Sequence, residues 1–268
     1  AKVDGASHYD IFIRMRPDVN LVQAGNAFNI AIDNLIKDSQ NAARGMIPAN
    51  VRSIMMKNRF KIAIIGAGYM AKEYLKVLVN KKVYCEGIFS RTISKSKILK
   101  NKFKIKKLYK SLNDLKNDRQ IDALIIAVNA ESTNYILNNL EIAKYKILCE
   151  KPVGINYEQT KKIVSKIKNK HFYVALNRRF YSSNLKAGHL ISKNKGKRLI
   201  SIRDQELQNS KSKLYNKNLM YWNSVHLIDY INIYARGKLE KVEKIKKFKH
   251  NKFTENLTRL IFSSKDEV

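Results

Sequence analysis

Lys61 to Ala71 reads KIAIIGAGYMA. Ile62, Ala63, Ile64 and Ile65 form a short apolar run, the pattern of a central parallel strand buried on both faces. Gly66-Ala67-Gly68-Tyr69-Met70-Ala71 follows at once and fits G-x-G-x-x-[G/A]. Glu73 to Asn80 then carries Tyr74, Leu75, Val77 and Leu78, and reads as a helix. Strand, glycine turn and helix in that order are the setting in which the glycine pattern marks a dinucleotide site.

Each residue type has a physical reason. Gly66 lets the chain turn tightly off the strand. Gly68 has no side chain to obstruct a pyrophosphate. Ala71 is small enough for helix and strand to pack closely. The N–H groups at the helix start face the phosphates, and the helix dipole favours their charge. The alternative is a structural glycine turn in another α/β domain.

Outward from this stretch, strands and helices alternate. Lys82–Phe89 is the second expected strand, and Ser94–Lys102 and Leu112–Asn117 are helices. Ala123–Val128 is a strong strand, with Asn129 to Thr133 at its ligand-facing end. Tyr135–Lys144 is expected as a helix, Lys146–Cys149 as a strand, Tyr157–Lys168 as a helix and Phe172–Leu176 as a strand. The alternation predicts a doubly wound, Rossmann-type parallel sheet with right-handed crossovers. Beyond it, Ser183–Ser192 and Leu219–Tyr234 read as helices, and Arg198–Leu207, Leu239–Lys249 and Phe253–Ser263 as strands. That order predicts a smaller α+β domain with an antiparallel sheet.

Residues 1–55 differ in character. Their acidic and basic residues nearly balance, and lysine becomes frequent only from Lys57. Leu21, Ala24, Phe28, Ile32, Leu35 and Ile36 give a helical pattern between Leu21 and Arg44. Met55-Met56 directly precedes the first strand, so the enzyme proper is expected to begin near Met56. The expected division is 1–55, an extension or fusion with no assigned role; 56–176, the dinucleotide-binding domain; and 177–268, the α+β substrate and oligomerisation domain.

The 268 residues carry 53 Lys and Arg against 22 Asp and Glu, a formal charge of +31. Such a charge by itself suggests nucleic acid or an anionic membrane. Here the lysines are spread along the chain among Asn and Ile, with no helix-turn-helix or zinc-finger pattern. Lys95 to Lys107 and Lys241 to Lys252 read as solvated faces. No nucleic-acid or membrane partner is expected, and the charge serves to attract an anionic ligand. No run of about 18 apolar residues occurs, and no signal peptide is visible. Cys85 and Cys149 read as buried thiols of a cytoplasmic protein. His8, His171, His189 and His250 show no metal spacing, so no metal is expected.

Ser90 stands 24 residues after Gly66, about where such folds read the cofactor ribose. An acidic residue there would favour NAD. Ser90 and Arg91 could instead hold the 2′-phosphate of NADP, or form an ordinary turn with an exposed arginine.

GAGYMA at Gly66–Ala71, AVNAEST at Ala127–Thr133, EKP at Glu150–Pro152, NRRF at Asn177–Phe180 and NSVHLID at Asn223–Asp229 occur in this order. Together they resemble the Gfo/Idh/MocA oxidoreductase family, over roughly residues 57–263. The resemblance implies an NAD(P)-binding Rossmann domain and a C-terminal domain that forms the substrate cleft and often an oligomer interface. It implies oxidation or reduction at a hydroxyl-bearing carbon of a sugar, cyclitol or nucleotide-sugar, with bacterial surface-polysaccharide synthesis as the nearest setting. Beside Gly66, Ala67, Gly68, Tyr69, Met70, Ser90 and Arg91, it places Ala127, Asn129, Glu150, Lys151 and Arg179 at the cofactor. Tyr69 also reads as a packing residue.

In the implied reaction the cofactor carries the hydride and the protein positions it. His226 is the expected general base. Lys151 is expected to donate to the substrate oxygen, on a turn stiffened by Pro152 through a cis bond. Asn223, one turn before His226, would orient substrate or imidazole. Asp229 would pair with His226 or serve as a structural carboxylate. The bland readings are a core histidine and a surface lysine.

Two features depart from the family pattern. Trp222 stands where members usually carry Asp or Asn, and few residues follow His226, so an incomplete C-terminal domain is expected. The competing functions are an NAD(P)-dependent sugar oxidoreductase, a non-catalytic dinucleotide-binding module and, from charge alone, a nucleic-acid binder. A homo-oligomer is expected.

Overall fold

The computed structural model describes residues 61–167, 171–193, 199–202, 222, 224–235, 238–250 and 253–263. The segment 1–55, with its expected helix, lies outside the described residues, as does Asn223. The described residues form two compact units. One comprises 61–185 with 222 and 224–226, and the other comprises the described residues of 186–202 and 227–263.

The first unit is a six-stranded parallel sheet. Its strands are β1 (Ile62–Ile65), β2 (Cys85–Phe89), β3 (Lys107–Tyr109), β4 (Ala123–Ile126), β5 (Lys146–Cys149) and β6 (Phe172–Val174), in spatial order β3-β2-β1-β4-β5-β6. The helices are α1 (Tyr69–Asn80), α2 (Ile93–Phe103), α3 (Leu112–Asn117), α4 (Ala130–Asn139) and α5 (Tyr157–Lys166). This is the Rossmann strand order, with the topological switch between β1 and β4.

The apolar run of β1 is explained by two cores, one on each face of the sheet. Ile62 and Ile64 join Tyr74, Leu75 and Leu78 of α1 and Leu99 of α2. Ala63 and Ile65 point the other way, to Leu112 and Leu115 of α3, Ile136 and Leu137 of α4 and Ile163 of α5. Alternation along a strand with both faces covered demands apolar residues at every position. Each fully buried Leu or Ile contributes about 1.5–3 kcal/mol. On α2 the basic reading holds, since Lys95, Lys97 and Lys102 are exposed.

Strands β2, β4 and β6 are shorter than expected, and two elements differ more deeply. β3 is only Lys107-Leu108-Tyr109, with one aliphatic residue after two lysines, too little alternation to read as a strand. It forms because Gly87 of β2 leaves room for the Tyr109 ring, which a Cβ there would strike. Asp118 holds the strand by accepting from Tyr109 Oη and Lys107 Nζ, both at 2.7 Å. The helix expected at Tyr135–Lys144 instead begins at Ala130 and ends at Asn139. Asn129 caps it, its side-chain oxygen accepting from Ser132 N at 2.9 Å. Leu140 then turns extended and buries itself, and Ile142–Lys144 form a separate 3-10 turn.

The second unit contains the later part of α6 (Ser182–Ser192), most of α7 (Val225–Tyr234) and an antiparallel hairpin of β7 (Lys238–His250) with β8 (Phe253–Ser263). Leu227, Tyr230 and Tyr234 form its buried cluster, with Ala187, Ile191, Ile200 and Ile202 packed around them. Most of the strand expected at Arg198–Leu207 lies outside the described residues, and 199–202 join no ladder.

Candidate functional site

The carboxyl ends of the central strands are stitched together by main-chain bonds. Gly66 N donates to Phe89 O, Ala127 N to Ile65 O, and Glu150 N to Ile126 O, each at 2.8 Å. Gly66 has φ +123°, and a Cβ there would run into the Ala127 carbonyl. Glycine is therefore needed here for backbone conformation and close approach together. Ala127 itself is buried, at the end of the strand beside the switch point.

Gly68 is a different case. It is the N-cap of α1, and a Cβ built on it meets no described atom within 4 Å. The space above it is open, and α1 has no acidic residue in its first turn. The first N–H groups of a helix lack intrahelical partners, and the dipole there favours an anion. Ala71 is fully buried against the sheet. These features fit a dinucleotide pyrophosphate lying over Gly66 to Met70. Met70 packs partly into the core. Tyr69, read as a packing residue, is instead 61% exposed at the rim of the turn. The first position of α1 points away from the sheet, so no core reaches it.

Ser90 and Arg91 follow β2 at the same edge. Ser90 Oγ accepts from Thr92 N at 3.3 Å, and Arg91 is exposed. Asn129, after β4, spends its side-chain oxygen on capping α4. Inside that helix the Thr133 hydroxyl is fully buried and has no hydrogen-bond partner among the described residues.

The turn after β5 is held at several points. Tyr74 Oη, on α1, donates to Glu150 Oε1 at 2.7 Å, and Lys151 N donates to Glu150 Oε2 at 3.2 Å. Burial raises the Glu150 carboxyl above the ordinary range, against the opposing effects of the Tyr74 bond and the Lys151 charge. The Lys151–Pro152 peptide is cis, as expected. Lys151 Nζ donates to Trp222 O at 2.8 Å. Trp222 Nε1 donates to Ile155 O at 3.2 Å. Glu150 thus holds two protein donors, one of them from the helix that follows the glycine turn. Tyr74→Phe leaves one carboxyl oxygen buried without its donor. The expected cost is about 1–3 kcal/mol in unfolding free energy, read from the urea midpoint, and an unchanged midpoint would overturn it.

His226 is 4% exposed, and its Nδ1 has no hydrogen-bond partner among the described residues. Burial lowers its pKa from 6.5 to about 3, helped by the nearby Lys151 and Arg178 cations. The first unit therefore brings Lys151, Arg178 and His226 together. Arg179 sits beside Arg178 in the 3-10 turn Asn177–Phe180. Asp229 is buried too, within the second unit.

The family model of the Gfo/Idh/MocA oxidoreductases, described as having an NAD-binding Rossmann fold, matches residues 60–177. The match covers under half of the chain, and over that segment the chain is similar to this family. The family description accords with the expected NAD(P) cofactor. An NAD-binding protein from Listeria innocua superposes with a TM-score of 0.55 at 22% identity, covering 69% of this chain and 57% of that one. It shares the fold. Myo-inositol dehydrogenase from Lactobacillus casei, in complex with NAD(H) and myo-inositol, gives 0.48 at 19% identity, covering 50% of this chain and 42% of that one. Myo-inositol 2-dehydrogenase from Lactobacillus plantarum gives 0.44 at 25% identity, covering 50% and 41%. The chain spans less than half the length of either dehydrogenase. No curated protein matches it by sequence.

Three participants in this site carry little or no signal in the sequence. Tyr74 looked like one more apolar helix position, and its hydroxyl is its only polar signal. Arg178 was visible inside NRRF but had no assigned partner. The Trp222 carbonyl carries no side-chain signature at all. Among the described residues, no group of three or more His, Cys, Asp or Glu could hold a metal. No described helix is long and apolar enough to cross a membrane.

The depressed His226 pKa has a consequence for stability. Below about 6.5 the unfolded imidazole takes up a proton, while the folded one resists until about 3. This contribution is complete above the upper value and is lost as pH falls to the lower one. The slope is at most about 1.4 kcal/mol per pH unit. His226→Phe should flatten the acid limb of a stability–pH profile measured in urea. Identical limbs in both proteins would disprove it.

Proposed function

We propose that this chain belongs to an NAD(P)-dependent oxidoreductase acting on a hydroxyl-bearing carbon of a sugar or cyclitol. The observation that carries the reading is a buried His226 under the electrostatic influence of Lys151, in the unit that also bears the glycine turn. A neutral imidazole and a lysine ammonium in one unit are the two group types needed to turn an alcohol into a carbonyl or back, one to exchange the proton and one to stabilise the oxygen.

Gly66 to Met70 and the start of α1 would hold the pyrophosphate, with Ala127, Asn129, Glu150 and Arg179 lining the same edge. When bound, the nicotinamide supplies the hydride acceptor or donor. Lys151 donates a hydrogen bond to the substrate oxygen and stabilises the charge that develops there. Its ammonium has three donors, so the bond to the Trp222 carbonyl is compatible with this one. His226, neutral at physiological pH, would take the hydroxyl proton, a step that requires the bound substrate and cofactor to bring its pKa up from about 3 toward neutral. Asn223 would orient substrate or imidazole from the same helix. Residues 56–176 supply the cofactor side and 177–268 the substrate side and a homo-oligomer contact. Within the substrate class a nucleotide-linked sugar, of the kind used for bacterial surface polysaccharides, suits a chain of charge +31.

The test is reduction of NAD or NADP dependent on an added sugar, cyclitol or nucleotide-sugar. Cofactor binding without reduction by any of them would favour the non-catalytic dinucleotide-binding module. Ser90 and Arg91, with no carboxylate beside them, favour NADP or equal use of both cofactors. Arg91→Ala should weaken NADP roughly tenfold more than NAD, the scale of one lost charge-assisted phosphate bond. Wild-type protein that binds NAD far more tightly than NADP would refute that preference.

A further inference from the structure

Trp222 is the chain's only tryptophan, and it touches the turn after β5 twice. Its carbonyl accepts from Lys151 Nζ at 2.8 Å, and its indole Nε1 donates to Ile155 O at 3.2 Å. Between these two points lie Pro152, Val153 and Gly154. The far side of each point is fixed as well. Ile155 N donates to Gln159 Oε1 at 3.2 Å, and Asn156 caps α5. Lys151 N is tied to Glu150, which Tyr74 holds. Gly154 is pressed against α5, where a Cβ would come within 2.9 Å of Thr160 N.

We propose that Trp222 is a positioning residue for Lys151, clamping the turn between β5 and α5 at both ends and so setting where the lysine ammonium sits. The physical reason is the number of ties. A lysine side chain has several rotatable bonds and a point charge that any acceptor can satisfy. One bond to a carbonyl leaves that carbonyl able to swing with its own segment. A second bond, from the indole of the same residue to the other end of the turn, removes the swing. The carbonyl that receives Lys151 could come from any residue type. The second tie needs an N–H donor on a rigid side chain long enough to reach Ile155 O. Phenylalanine offers the ring without the donor, and aspartate or asparagine is too short to offer both. Trp222 is therefore a working part of the site rather than a lost helper residue. Its purpose rests on the oxidoreductase reading, whereas the clamp itself does not.

The experiment compares wild type, Trp222→Phe, Lys151→Met and the double variant. Without substrate, reductive methylation followed by peptide mass spectrometry reads the reactivity of each lysine. Trp222→Phe should speed labelling of Lys151 severalfold and leave the other lysines unchanged. An unchanged Lys151 rate overturns the clamp. Should Trp222→Phe fail to fold, the emission of the single tryptophan decides instead. It should change in intensity or position in Lys151→Met, and an unaltered spectrum overturns the clamp. During turnover, Trp222→Phe should lower kcat roughly ten- to a hundredfold, the scale of a slightly misplaced catalytic group, with cofactor KM unchanged. In the Lys151→Met background it should cost nothing more, because it acts through that lysine. Additive losses overturn the positioning role and leave the oxidoreductase reading standing. Absence of turnover with any polyol, alongside the expected labelling change, sinks the oxidoreductase reading and with it the catalytic purpose of the clamp.

Discussion

Lys151→Ala and His226→Ala should each lower turnover by roughly a hundredfold or more, the usual scale for a lost proton-transfer group. That is about 2.7 kcal/mol of transition-state stabilisation. Dinucleotide affinity should survive both changes, because the pyrophosphate is proposed to lie over Gly66 to Met70, away from both side chains. The two losses have different causes. Without His226 no base takes the hydroxyl proton. Without Lys151 the developing oxygen charge would lose its proposed hydrogen-bond donor. Lys151→Ala also removes one of the two cations that repel a proton from His226, the other being Arg178. The imidazole pKa should therefore rise in that variant while staying depressed, because burial is the larger cause. An NMR titration of the His226 ring reads this independently of turnover. Normal turnover in both variants would refute the mechanism and favour a dinucleotide-binding module without chemistry.

The second large effect separates the two glycines of the turn. Gly68→Val should abolish measurable NAD(P) binding with the fold intact. The side chain would enter the open space above the start of α1, where no described atom within 4 Å opposes it. Gly66→Ala should do the reverse. Its φ of +123° and the Ala127 carbonyl against its Cβ position make any side chain costly. The expected loss is about 3 kcal/mol of stability, combining backbone strain with overpacking. Fluorescence titration and urea unfolding on the two variants test the pair. Gly68→Val protein that binds cofactor like wild type would move the pyrophosphate elsewhere. Gly66→Ala protein of normal stability would refute the close approach of β1 to β4.

Local patterns were enough for much of this molecule. The run Ile62–Ile65, the turn from Gly66 and the apolar stripe through Tyr74 and Leu78 specify strand, turn and helix over a dozen neighbouring residues. Hydrophobic period and glycine chemistry act at that range, so β1, α3, β5 and β8 lie where the residues predict them. The resemblance, carried by short motifs in order, pointed to Lys151 and His226. Folding alone decided the rest, because the forces involved join residues far apart in the chain. β3 exists because Gly87 yields space to Tyr109 and Asp118 holds two of its side chains. α4 starts at a cap five residues before its apolar period becomes clear, so Asn129 outweighs hydrophobic spacing there. The bond between Tyr74 and Glu150 spans 76 residues, and that between Lys151 and Trp222 spans 71. No window of sequence holds both partners of either. Such long-range pairings decide which polar groups support one another, since a buried hydroxyl, carboxyl or ammonium must find a partner wherever the fold supplies one.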